Sequence, residues 1–192
     1  SKISGNKEIA EIKQILGLEH GKSYVIDDIK TRLRYGKILF MTDQDLDGSH
    51  IKGLGINMID SEWRSLINIP GFIGYMNTPI LKATKGKVVQ EFYNNGEFEK
   101  WKKENDISKW SIKYYKGLGT STSREFKEYF SKKKIVDFIN SNNCNASIDM
   151  VFNKKRANDR KEWLANYDRD SHLDTSKHQV GDSEFIYNDR TH

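Results

Sequence analysis

The chain has 192 residues, of which 31% are charged and 36% apolar, and 32 basic against 27 acidic residues give it a net charge of +5. This length is enough for one α/β domain with an appendage, and the lack of any run of 18 apolar residues excludes a membrane-spanning helix. The single cysteine, Cys144, excludes an internal disulfide bond. The mild positive charge favours a polyanionic partner without specifying it.

The first third of the sequence predicts two helices, a strand and a long helix. Apolar residues at spacings of three and four predict an amphipathic helix over 7–18, and residues 26–34 predict a shorter one. The apolar segment KILFMTD, 37–43, predicts a buried strand. Ser49 is expected to cap a helix over 50–67. The expected buried face of this helix consists of Ile51, Leu54, Ile56, Met58, Ile59, Trp63 and Leu66.

Three aspartates, Asp43, Asp45 and Asp47, follow the predicted strand at alternate positions. Neighbouring carboxylates raise each other's pKa unless a cation lies between them, so the pattern indicates a divalent cation. The alternative of a solvated, aspartate-rich turn does not explain why the three aspartates directly follow an apolar strand. An EF-hand calcium loop would need a glutamate where Leu54 stands and an amphipathic helix before the loop. The preferred interpretation is a magnesium site at the carboxyl end of a parallel strand.

Extended segments and short helices are predicted after Pro70. The segments GFIGYMNTPILKAT, KVVQEFY and WSIKYY predict strands, and NNGEFEKWKKEN predicts a short polar helix. KGLGTSTS, 116–123, predicts a glycine turn before a helix over 124–130, and such a turn can expose backbone N–H groups to phosphate. Residues 131–147 predict a helix running into a polar loop, residues 146–167 predict two short helices, and the chain from about 168 predicts an irregular surface segment.

Three motifs, in this order and spacing, carry a resemblance to a known family. MTDQDLDGSHIKGL, KYYKGLGTSTS and KKRANDRKEWL resemble the cleavage core of a eukaryotic-type DNA topoisomerase II, and the sheet region resembles its Toprim domain. The segments 31–37 and 78–85 also match, so the resemblance covers essentially the whole chain. It implies an α/β fold with a Toprim (Rossmann-like) parallel sheet flanked by helices and a helical C-terminal extension. Residues 1–130 would form a Toprim domain without its N-terminal portion, and 131–192 a helical extension and linker toward an absent winged-helix domain.

The resemblance also implies a metal site and a DNA interface. Mg²⁺, for which Mn²⁺ or Ca²⁺ could substitute, would be held by Asp43 and Asp45, with Asp47 close by. Double-stranded DNA would be bound by basic residues, for each of which a solvated surface position is the alternative. These residues are Arg160, Lys161, Lys154, Lys155 and Lys116.

The activity implied for the parent enzyme is ATP-dependent cleavage of both DNA strands, passage of a second duplex and religation, within a homodimer in the nucleus or at a viral replication site. The nucleophilic tyrosine, the partner glutamate of the metal site and the ATP-binding module are expected in segments outside this sequence. The chain alone is therefore expected to be inactive. Tyr114 and Tyr115 are expected to be core or platform residues rather than nucleophiles.

Two other functions are compatible with the residues. A non-catalytic DNA-binding or scaffold Toprim module would carry the same acids without binding a metal. A different Toprim enzyme, such as a primase or a nuclease, would not be expected to combine KYYKGLGTS with NDRKEWL. Metal binding, and relaxation of supercoiled DNA by the chain joined to its neighbouring segments, would discriminate between these functions.

Overall fold

The computed structural model describes residues 5–132, 134–140, 144–166 and 179–181. The helices are α1 (Lys7–Leu16), α2 (Asp28–Thr31), α3 (Leu46–Ile67), α4 (Asn95–Glu104), α5 (Ser123–Ser131), α6 (Cys144–Phe152) and α7 (Ala157–Ala165). The strands are β1 (Ile38–Phe40), β2 (Ile73–Met76), β3 (Leu81–Lys85), β4 (Val88–Phe92), β5 (Ser111–Tyr114), β6 (Ile135–Ile139) and β7 (Gln179–Gly181). None of the helices in these ranges has the combination of length and apolar composition that a membrane-spanning segment requires.

The strands form two sheets. The first has the order β1-β2-β6-β7, with β1 parallel to β2, β6 parallel to β7, and β2 antiparallel to β6. The second is antiparallel and has the order β4-β3-β5. The expected α/β fold with helices is confirmed, but the main sheet is mixed rather than wholly parallel, because β6 runs against β2.

Strand β6 corrects the helix predicted over residues 131–147. Val136 and Phe138 are buried, whereas Asp137 between them is half-buried and turned to the other side of the strand. This alternation, in a segment rich in β-branched and aromatic residues, favours a strand. The predicted helical extension over 131–192 therefore also supplies β6 and β7 to the main sheet, and its boundary stays a prediction. Apart from β7, the segment from about 168 lies outside the described residues.

Helix α3 covers the main sheet with the face that carries Ile56, Ile59, Trp63 and Leu66, all buried as predicted. These side chains belong to one core with residues of the sheet, namely Phe72, Ile73, Tyr75, Val136 and Phe138. The expectation for Ile51 and Leu54 is wrong, since they are 55% and 45% exposed. Each helical residue turns by about 100°, which places these two outside the buried face.

The second sheet packs against α4 through an aromatic cluster. Phe92 of β4 and Phe98 of α4 have ring centroids 5.3 Å apart, and Trp101 and Trp110 extend the cluster. From β5 the chain continues through the glycine turn into α5. Thr122 caps that helix in a reciprocal capping box with Glu125, which explains why α5 begins at Ser123, close to the predicted start.

Candidate metal and nucleic-acid site

The acidic loop after β1 contacts the glycine turn after β5. The backbone N–H of Leu118 donates a hydrogen bond of 2.6 Å to Oδ1 of Asp43, although the two residues are 75 positions apart. A Cβ on Gly117 would lie 2.8 Å from Oδ2 of the same carboxylate, so the turn can approach only because this position has no side chain. The glycine turn was predicted to expose backbone N–H groups to phosphate, and in the structure the N–H group of Leu118 binds Asp43 instead.

Two further backbone features shape the loop. A Cβ on Gly48 would lie 1.9 Å from the Asp43 carbonyl oxygen, so glycine allows the loop to close on the first turn of α3. Asp45 caps this helix, because its Oδ1 accepts a hydrogen bond of 2.8 Å from the Gly48 N–H. The expectation that Ser49 is the cap is wrong, since the helix begins at Leu46 and Ser49 lies buried within it.

The three aspartates differ in their surroundings. Asp43 is half-buried, whereas Asp45 and Asp47 are exposed. Asp47 lies in the first turn of α3, where the helix dipole favours a negative charge. Over the described ranges, no group of three or more His, Cys, Asp or Glu side chains is arranged to hold a metal ion. The aspartate oxygens have the chemistry that Mg²⁺ prefers, but they provide at most part of its ligands.

In both Asp43 and Asp45, one carboxylate oxygen accepts a backbone hydrogen bond, and the other oxygen takes no part in that bond. Asp43 and Asp45 each use Oδ1 to accept a backbone N–H, and Oδ2 takes no part in either of these hydrogen bonds. This arrangement holds two carboxylates in defined orientations at the carboxyl end of β1. Open α/β sheets bind ligands at such strand ends.

A buried lysine near the acidic loop was missed by the sequence analysis. Lys52 is 2% exposed on the sheet-facing side of α3, and its ammonium lies 4.3 Å from the ring centroid of Tyr75. It lies seven residues after Asp45, about two helical turns. The helical angle of Lys52 falls within the face formed by Ile56 and Ile59, which is the signal that could have identified it.

The predicted DNA-binding lysines are exposed, and three of them lie in one segment. Lys154 and Lys155 belong to a 3-10 turn between α6 and α7, and Lys161 lies on α7. Lys116 is also exposed, next to the glycine turn.

Arg160 differs from these lysines because its guanidinium binds the backbone. Its Nη1 donates hydrogen bonds of 2.9 Å to the Met150 carbonyl and 2.7 Å to the Asn153 carbonyl. Carbonyls at a helix C-terminus lack partners within the helix, so Arg160 satisfies the end of α6 from α7. The side chain thereby fixes the two helices to each other.

Arg156 is a second arginine with local partners. It contacts Asp149 at 3.1 Å and Asp159 at 2.7 Å. Hydrogen bonds from Asn153 and from Arg156 lower the pKa of Asp149. The basic sequence KKR therefore contains two exposed lysines and one arginine that links α6 to α7.

The mixed sheet, the acidic loop at the end of β1 and the glycine turn define a Toprim-type α/β protein. The model for the C-terminal associated domain of TOPRIM matches residues 76–191, and the chain belongs to this family. The DNA topoisomerase 2 of Plasmodium falciparum (isolate K1 / Thailand) is 47% identical over 184 residues, which cover 94% of this chain and 13% of that protein. The DNA topoisomerase 2-alpha of Homo sapiens is 49% identical over 172 residues, covering 88% of this chain and 11% of that protein.

A solved structure agrees with these relatives. The crystal structure of the Plasmodium falciparum topoisomerase II DNA-binding, cleavage and re-ligation domain matches with a TM-score of 0.91 at 45% identity, covering 98% of this chain and 26% of that one. The resemblance to eukaryotic DNA topoisomerase II is thereby confirmed. The chain spans 13% of the length of the topoisomerase 2 of Plasmodium falciparum and 11% of that of Homo sapiens.

Proposed function

We propose that the chain is the Toprim-containing part of a type II DNA topoisomerase, in which it supplies the metal-binding acids and backbone contacts to DNA. The parent would carry out ATP-dependent double-strand cleavage, strand passage and religation as a homodimer. The observation that carries this proposal is the hydrogen bond from Leu118 to Asp43, because it joins two of the three family motifs at one strand end. The similarity to DNA topoisomerases 2 of several organisms supports it.

Asp43 and Asp45 would hold Mg²⁺ through the oxygens that do not accept the backbone N–H groups, with Asp47 close by. Mg²⁺ commonly takes one or two carboxylates and completes its shell with water and substrate phosphate. When bound, the ion would stabilise charge on a DNA phosphate or on the leaving oxygen. The task of this chain is orientation, since Leu118 and Gly48 fix the two carboxylates before any ligand arrives.

The exposed lysines would hold the phosphate backbone of double-stranded DNA. Lys154, Lys155 and Lys161 lie in one segment, and Lys116 follows β5 beside the acidic loop. Contacts of this kind position a duplex without reading its bases. Arg160 holds the segment together and remains a candidate contact through the guanidinium nitrogens that do not bind carbonyls.

The test is a chimera in which this chain replaces the matching segment of the Plasmodium falciparum DNA topoisomerase 2, with which it aligns over 184 residues. We expect the chimera to relax supercoiled plasmid in the presence of Mg²⁺ and ATP. Asp43→Ala or Asp45→Ala should reduce cleavage by orders of magnitude and leave DNA binding nearly unchanged. A chimera that folds, dimerises and binds DNA like the parent, but cleaves equally well with either substitution, would contradict the proposal.

A further inference from the structure

A cleft lies between the second sheet and α5. Its volume is about 630 Å³, and its walls come from β3, β4, β5 and α5. Five basic and three acidic side chains line it, which gives a net charge of +2. None of the lining residues belongs to the acidic loop 43–47 or to the glycine turn 117–120. The proposed topoisomerase function therefore leaves this cleft without a role.

Each carboxylate in the cleft is bound by a lysine. The distances between the charged atoms of the first two pairs are both 3.1 Å, and the third pair is hydrogen-bonded. The pairs are Lys82 with Glu91, Lys113 with Glu125, and Lys132 with Glu128. The most deeply placed is Lys82, whose side chain is 10% exposed beneath the rings of Tyr115 and Tyr129.

Two of these carboxylates, Glu125 and Glu128, have lowered pKa values and stay ionised at neutral pH. Burial raises the pKa of Glu125, but hydrogen bonds from Thr122, Tyr115 and Lys113 outweigh it and lower the pKa to about 2. The hydrogen bond from Lys132 lowers the pKa of Glu128. The acidic side chains of the cleft are thus each paired with one of its own lysines.

Two cations remain after this pairing. Arg124 lies exposed in the first turn of α5, and Lys134 lies half-buried just before β6. Within the described part of the chain, neither makes an ion pair, although the Lys134 ammonium lies 5.2 Å from the ring centroid of Tyr93. The net charge of +2 therefore comes from these two side chains, which face the same cleft.

We propose that this cleft binds a phosphate group in its dianionic form, as free phosphate or as a small phosphate monoester, through Arg124 and Lys134. A monoester carries close to two negative charges at pH 7 and three acceptor oxygens, which match the net charge of the cleft. A guanidinium binds such oxygens in a bidentate manner, and a lysine adds a point charge. The volume of the cleft lies within the range of small-molecule sites, whereas a duplex offers phosphodiesters with one charge each.

Titration of the 192-residue chain with inorganic phosphate and with O-phosphoserine, followed by calorimetry, tests this proposal. We expect saturable binding of at least one of the two ligands, weakened at least tenfold by Arg124→Gln and by Lys134→Gln. The matched control is Lys127→Gln, which removes an exposed charge from the same helix outside the cleft and should leave binding unchanged. Binding should also weaken from pH 7.5 to pH 5, because the second pKa of a phosphate monoester is about 6.

Binding of only one of the two ligands would show whether the cleft takes free phosphate or a phosphate monoester, and would support the proposed site. Three results would overturn the proposal. These are no saturation by either ligand at millimolar concentration, equal weakening by Lys127→Gln, and displacement of the ligand by duplex DNA without terminal phosphates. The last result would assign the cleft to the path of DNA.

Two controls separate loss of binding from loss of folding. Thermal midpoints of the variants within about one degree of the wild type would show that the variants are still folded. Arg124→Lys, which keeps the charge, should bind the ligand more tightly than Arg124→Gln.

Discussion

The acidic loop and the basic α6–α7 segment hold their charged groups in different ways. Asp43 is fixed by Leu118, which lies 75 residues further along the chain, in the glycine turn that follows β5 of the second sheet. Arg160 and Arg156 are fixed by partners within ten residues, which belong to the same pair of helices. The acid site therefore depends on the tertiary fold, whereas the basic segment sets its own geometry.

The basic residues of the α6–α7 segment fall into two groups. The arginines, which have planar groups with several donors, bind carbonyls and carboxylates inside the segment. The lysines 154, 155 and 161 remain exposed. The sequence predicts Arg160 and the three lysines alike as DNA contacts, whereas in the structure Arg160 also binds two backbone carbonyls. Substitution of Arg160 should therefore lower stability as well as binding, and substitution of a lysine should act on binding alone.

The largest expected effect concerns the loop. Gly48→Ala should reduce the free energy of unfolding by about 3 kcal/mol, because the new Cβ would lie 1.9 Å from the Asp43 carbonyl oxygen and the loop must move. Urea unfolding followed by circular dichroism measures this change. Gly119→Ala is the matched control, since nothing lies within 4 Å of a Cβ there. Equal stability of the two variants would show that the loop does not close on α3 as described.

The second effect concerns the basic segment. Arg160→Met should cost about 2 kcal/mol, because two carbonyls at the end of α6 lose a charged donor. Lys161→Met, on an exposed position of the same helix, should change stability by less than about 0.5 kcal/mol. Urea unfolding of both variants tests the division between arginines and lysines. If the two substitutions lowered the free energy of unfolding by similar amounts, the proposed difference between arginines and lysines would be contradicted.

The third effect is on DNA binding. Neutralising Lys161, Lys154 or Lys155 should lower the slope of log affinity against log salt by about 0.9 per lost phosphate contact, equally for unrelated sequences. The same reduction is predicted for Arg160→Ala. Salt titrations of duplex binding measure both. An unchanged slope for Arg160→Ala would assign its guanidinium to the α6 carbonyls alone, and unchanged slopes for the lysines would leave them as solvated surface residues.

The smallest effect is a pH dependence. The pKa of Glu125 is lowered from 4.5 to about 2, so its hydrogen bonds stabilise the fold above about pH 5, and this contribution is lost as the pH falls from 4.5 toward 2. Glu125→Gln should therefore be less stable than the wild type at pH 7, with a difference that shrinks toward pH 2. Thermal midpoints from pH 7 to pH 3 measure it, with the exposed Glu104→Gln as control. A difference that stays constant over this range would contradict the assignment.

Local signals were sufficient for much of the fold. Apolar periodicity predicted α1, and the apolar run before Asp43 predicted β1. Strand β6 lies in a segment predicted to be helical, and its pairing with β2 decides its conformation. Asp45 and Ser49 are both residue types that cap helices, and the structure assigns the cap to Asp45, which accepts a hydrogen bond from the Gly48 N–H.

The assembly of the site could not be predicted from spacing. The motifs that contain Asp43 and Leu118 are both visible in the sequence, but a hydrogen bond across 75 residues depends on how β1 and β5 continue into their loops. Lys52 is also buried, although the predicted buried face of α3 consists of apolar residues and does not include it. Its position on the helical wheel outweighs its charge.

We propose above that Asp43 and Asp45 hold a divalent cation beside the glycine turn. Paramagnetic broadening of amide NMR signals by Mn²⁺ tests it directly on the 192-residue chain, at millimolar concentration, because two carboxylates leave most of the shell to water and the affinity is expected to be weak. We expect the signals of residues 43–48 and of Leu118 to broaden first, and we expect Asp43→Asn combined with Asp45→Asn to abolish this broadening. Broadening that begins elsewhere, or that persists unchanged in the double variant, would contradict it.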